Sequence, residues 1–65
     1  MSALHTVWQH TDAAGDALEV ATIADSRTSV LVVATSETAE QPIPVLVMRT
    51  QVEALHAALG EWLAR

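Results

Sequence analysis

Ser29-Val30-Leu31-Val32-Val33-Ala34-Thr35 decides how this chain folds. Its centre is an unbroken run of branched aliphatic residues, which suits a pleated strand and predicts one over 29–35. Side chains alternate across a strand, so Val30 and Val32 lie on one face and Leu31 and Val33 on the other. Both faces are apolar. Downstream, Ser36-Glu37-Thr38-Ala39-Glu40-Gln41-Pro42 reads as a polar loop that ends at a proline. Ile43-Pro44-Val45-Leu46-Val47-Met48 follows as a strand over 43–48, again apolar on both faces. Pro44 has no N–H for a ladder, which points to an edge strand or a strand start.

Upstream, the period stays at two. Leu18 to Ile23 forms a strand, with Leu18 and Val20 on one face and Glu19 and Ala21 on the other. Leu4 to His10 forms another, centred on Val7 and Trp8. Thr11-Asp12-Ala13-Ala14-Gly15-Asp16 and Asp25-Ser26-Arg27-Thr28 are the turns, and Gly15 is the residue that takes positive φ cheaply. Past Met48 the period changes. Val52, Leu55, His56, Leu59, Trp62 and Leu63 fall on one helical stripe. Thr50 with Glu53 fits a capping box, giving a helix over 51–64 with Trp62 on its core side. The class is α+β, an antiparallel sheet of three to four strands and one C-terminal amphipathic helix, in a single small domain over 1–65.

That arrangement leaves apolar surface uncovered. One helix about 10 Å across cannot cover a four-stranded sheet about 19 Å wide, and it can lie on only one side. The other face needs a partner, and exposed patches of this kind mark interfaces. The expected interface residues are Trp8, Val30, Leu31, Val32, Val33, Val45, Leu46, Val47 and Met48. The competing expectation is that the first strand or the polar loop folds over that face, or that the sheet curls on itself.

Composition narrows the function. The chain has 65 residues, three Lys plus Arg, eight Asp plus Glu, no Cys and a net charge of −5. Without cysteine there is no disulfide framework and no thiolate metal site. Three arginines and no lysine leave little to neutralise phosphates, so direct nucleic-acid binding is not expected. No apolar run approaches the ~18 residues of a membrane span and no leader pattern is read, so a cytoplasmic setting is expected. A chain this short without disulfides or metal gains stability by association, and a homodimer is expected.

Chemistry-bearing residues do not converge. His5, His10 and Asp12 are the nearest thing to a ligand cluster. Five residues apart on a strand, the two histidines point to opposite faces unless a bulge intervenes. Ser26, Ser29 and Ser36 sit at turns or strand ends with no nucleophile elbow around them. Gly15 and Gly60 are the only glycines, too few for a phosphate loop. The expectation is a protein that is not an enzyme, with no cofactor, no metal and no catalytic residue.

In its order of blocks the chain resembles the small actinobacterial domain of unknown function numbered 397. Val7-Trp8-Gln9-His10-Thr11-Asp12 stands at the opening, Ala17-Leu18-Glu19-Val20-Ala21 at the second block, Val30-Leu31-Val32-Val33 at the third and Leu46-Val47-Met48 at the fourth strand. It departs where Ala17 replaces the family's cysteine, Ala34-Thr35-Ser36 its Arg-Asp-Ser, and Val52 its helix tryptophan. What the resemblance implies is a partner or antagonist of a helix-turn-helix transcription regulator, and no catalytic residue. The resulting expectation is a protein–protein interaction module. Two alternatives stand beside it: a homo-oligomeric accessory protein of phage or actinobacterial type, and a single-stranded nucleic-acid binder, which the acidic charge disfavours.

Overall fold

Among the described residues four strands and one helix follow the chain in order: β1 (Leu4–Thr11), β2 (Ala17–Ile23), β3 (Ser29–Thr35), β4 (Ile43–Met48) and α1 (Arg49–Leu63). The computed structural model describes residues 4–65. The strands pair antiparallel as a meander, β1-β2-β3-β4, so β1 and β4 are the edges. The α+β class and the strand count agree with the sequence reading. Pro44 lies on the edge strand β4, where a missing N–H is tolerated.

The turns are fixed by side chains suited to them. Asp12 Oδ1 accepts from the N–H groups of Ala14 (2.9 Å) and Asp16 (3.0 Å), closing the β1–β2 connection from inside. Gly15 takes φ +89° there, as its lack of a Cβ allows. At the β2–β3 turn the Ser26 N–H donates to the Ile23 carbonyl (3.0 Å) and Asp25 sits at φ +64°. The β3–β4 loop leans on the first turn through the Glu37 N–H and Asp16 Oδ1 (3.4 Å).

The register defines two faces. Val20, Val32 and Val45 stand opposite one another across β2, β3 and β4, with Trp8 next to them on β1. Leu18, Val30, Ile43 and Val47 share this valine face. Ala21, Leu31 and Leu46 form the corresponding row on the other side, the leucine face, with Val33 and Met48. Thr6 and Glu19 lie on the leucine face, where the Thr6 hydroxyl donates to the Glu19 carboxylate.

The helix departs from expectation. It begins at Arg49, directly after β4, with Met48 as its N-cap and no side-chain cap. Thr50 and Glu53 therefore form no capping box. The Arg49 N–H instead donates to the Thr28 carbonyl (2.7 Å), and Glu53 pairs with Arg49 one turn earlier at 3.6 Å. With no connecting residue after the strand, the chain has no room to reverse over the sheet; strand-to-helix loops ordinarily take about two to six residues. The helix meets only β3 and β4, none of its residues is buried, and Val52 alone is half-buried. Trp62, expected in the core, is 64% exposed. β1 pairs in the sheet as an edge strand and does not fold over a face.

One layer of structure results. Among the described residues only Ala21, at 2% exposure, is buried. It is a small side chain on an interior strand, overshadowed by larger neighbours. The molecule measures 36 × 33 × 15 Å, with a radius of gyration of 13.3 Å. A compact chain of this length has a radius of about 11 Å. Stable domains pack at least two layers around a core; this chain supplies the sheet and a helix without stacking them.

Candidate interaction surface

The valine face is built from alternate residues of four strands and carries no Asp, Glu, Arg or Lys. Val20, Val30, Val32 and Val47 are half-buried by their neighbours, while Trp8, Leu18, Ile43 and Val45 are exposed. Trp8 stacks on His10, with ring centroids 6.3 Å apart and planes at 21°. Both rings lie at the β1 edge of this face. Trp8, named among the expected interface residues, is thus at the surface.

A β-bulge sets that edge. The register between β1 and β2 shifts between Thr6 and Trp8, leaving Val7 without an opposite residue. His5 then stands opposite Thr22, and Trp8 opposite Val20. Thr22 and Val20 share a face, so the bulge brings His5 and His10 to the same side of the sheet. Asp12 lies beyond them in the turn, its Oδ1 engaged by backbone amides. Among the described residues no three His, Asp or Glu side chains gather in a metal-binding arrangement.

The leucine face is more mixed. Leu31 and Val33 are half-buried, Leu46 and Met48 exposed. Glu19, Thr6, Gln9, Ser29 and Thr35 interrupt it. The nine residues expected at an interface therefore divide between two sides: Trp8, Val30, Val32, Val45 and Val47 on one, Leu31, Val33, Leu46 and Met48 on the other. No single flat partner covers all of them at once.

The helix stripe is the part that sequence reasoning assigned to the core. Leu55, Leu59, Trp62 and Leu63 are all more than half exposed. With Val52 they run at intervals of three, four, three and one, the spacing of a helix that packs along one seam. The signal available in the sequence was the absence of any linker between Met48 and the first helical residue.

Where the helix leaves the sheet there is an open hollow of about 310 Å³, lined by Thr22, Ser29, Val30, Arg49, Val52 and Glu53 among others. Arg49 spans it, donating from its guanidinium to the Arg27 carbonyl (3.3 Å) while pairing with Glu53. Its role is to tie the first turn of α1 to the β2–β3 turn. Ser26 lies beside Thr28 and Ser29 at 3.5 and 3.4 Å, and Ser36 beside Thr38 at 3.1 Å. These hydroxyls serve their own turns.

Apart from Glu19 on the leucine face, the charged residues lie off the two sheet faces. Asp12, Asp16, Glu37 and Glu40 all lie in the connections at one end of the sheet, because β1–β2 and β3–β4 turn at the same end of a meander. The helix starts at the other end and carries Arg49, Glu53 and Glu61, with Arg65 just past its last turn. No helix among the described residues is long and apolar enough to cross a membrane. Comparisons with protein-family models, with curated proteins and with solved structures find no match to this chain.

Proposed function

We propose that the chain is a non-enzymatic protein–protein interaction module, acting in the cytoplasm as a partner or antagonist of a helix-turn-helix DNA-binding regulator. The observation that supports a module is the single-layer sheet: large apolar side chains stand on both faces and, among the described residues, only Ala21 is buried. A surface of this kind is stabilised by being covered, and extended apolar patches on small proteins mark association sites. The pointer to a regulator comes from the resemblance to the actinobacterial domain. The four acidic residues at the loop end would favour approach of a basic DNA-binding surface by long-range attraction. The mechanism is occlusion or stabilisation of the regulator, with no bond made or broken.

Isothermal titration against a purified helix-turn-helix regulator of the source organism tests the proposal. Saturable binding with a negative heat-capacity change, lost in Leu31→Glu or Leu46→Glu, is the expected result. No heat at tens of micromolar of either protein would remove the regulator and leave the homo-oligomeric accessory protein as the reading.

A further inference from the structure

We infer that the valine face and the helix stripe are covered by a second copy of this chain, the helix of each protomer lying across the sheet of the other. This rests on the reading of the chain as an association module and names the occupant of one of its surfaces. Area argues for it first. The chain exposes 5517 Å², whereas a folded monomeric protein of its mass exposes about 4,000 Å². The surplus, about 1,500 Å² per chain, exceeds the ~800 Å² that each partner gives to an ordinary specific interface and falls in the obligate-homodimer range.

Shape argues next for which surfaces meet. Val52, at the start of the stripe, lines the same hollow as Thr22 and Val30 of the valine face where the helix leaves the sheet, so the stripe begins on the valine side of the sheet. The 15-residue helix is about 22 Å long, and the four strands span about 19 Å. A helix of that length crosses the whole sheet. Its own sheet is out of reach because no linker separates Met48 from Arg49, but a twofold-related sheet is not. A twofold pairing of one surface with itself buries both halves at once and supplies each sheet with its missing layer.

Charge permits the pairing. The charged side chains of residues 49–65, the helix and the two residues after it, are Arg49, Glu53, Glu61 and Arg65 and sum to zero, and the valine face holds no carboxylate. The acidic residues responsible for the −5 charge lie mainly at the far end of the sheet. The leucine face stays outside this contact and is left for a different partner.

Sedimentation equilibrium of the whole chain, with thermal unfolding at several concentrations, tests the inference. A dimer at 10 µM whose melting temperature rises with concentration is expected. Leu59→Glu and Val32→Glu should each weaken association by at least 100-fold. Should either fail to fold, the concentration dependence of the wild type still decides. The chain has no native cysteine, so a chain carrying Val45→Cys mixed with one carrying Leu59→Cys should be joined by a short bismaleimide. Coupling only between two Leu59→Cys chains would overturn the helix-on-sheet arrangement. A folded monomer at 100 µM with a flat melting temperature would overturn the dimer. If that monomer binds a hydrophobic dye, the interaction module survives with another occupant; if it does not, the module reading falls as well.

Discussion

The sheet and the helix of this protein are stabilised in opposite ways. Three ladders satisfy the backbone of β2 and β3 on both sides, and the turns between strands are closed locally by Asp12, Gly15 and Asp25. The helix satisfies its own backbone, but its apolar stripe touches almost nothing beyond Val52. Helices of this length are marginal in water, and most helical stability in proteins comes from packing an apolar face. The sheet is locally specified; the helix is specified by what it meets. The contrast can be broken most directly at the stripe. Leu55→Ala should cost about 2–4 kcal/mol in urea denaturation at fixed protein concentration, the cost of truncating a buried leucine, although Leu55 is 52% exposed within the chain. Truncating an exposed surface residue such as Glu61 should change stability by less than about 0.5 kcal/mol. Equal, small effects would mean that the stripe packs against nothing.

The sheet side is tested by its turn. Gly15 has φ +89°, and a Cβ built there would sit 2.5–2.9 Å from side-chain atoms of Glu37. Glu37 is a flexible side chain and can swing away, so the backbone strain dominates. Gly15→Ala should destabilise by about 1–2 kcal/mol, read as a lower urea midpoint with an unchanged slope. A changed slope would show that the turn also governs how the loop 36–42 docks.

Gly60 gives the matching test on the helix. Nothing lies within 4 Å of a Cβ built there, and glycine is about 1 kcal/mol less favourable than alanine in a helix interior. Gly60→Ala should raise the urea midpoint by about that much. A loss of stability would show that another chain approaches the helix backbone at that point, which would place the seam of the interface.

How far the sequence carried differs between these regions for the same reason. The strands were legible because the valine-rich aliphatic run 30–33 and the turn residues Asp12, Gly15 and Asp25 are local signals with local consequences. Strand ends moved by one residue, and Pro44, which pointed to an edge strand or a strand start, lies on an edge strand. The helix was legible as a period but not as a position. Reading Thr50 as its N-cap supplied a linker that does not exist, and with it a packing of Trp62 that the chain cannot reach. The bulge at Val7 was open in advance only as a possibility, since no glycine marks it. It alone decides that His5 and His10 share a face. The division of the nine expected interface residues between two sides follows from register, which a single strand's alternation does not reveal.

The smallest effect expected concerns Asp25, where the local signal is imperfect. The Ser26 N–H to Ile23 carbonyl bond spans a four-residue turn with Asp25 at its third position and φ +64°. A turn with positive φ there favours glycine, because an L side chain crowds the following carbonyl. Aspartate tolerates the conformation better than most residues, so part of the strain is already relieved. Glycine in turn loses more freedom on folding. The two effects oppose, and Asp25→Gly should stabilise by about 0.5 kcal/mol. Arg49 donates to the Arg27 carbonyl and its N–H to that of Thr28, so this turn also anchors the start of the helix. A gain in sheet stability with no loss of helical circular dichroism would show that the anchor depends on backbone carbonyls alone. A loss of helix signal would show that Asp25 holds the turn in the shape that the helix needs, and would tie the two regions together at one residue.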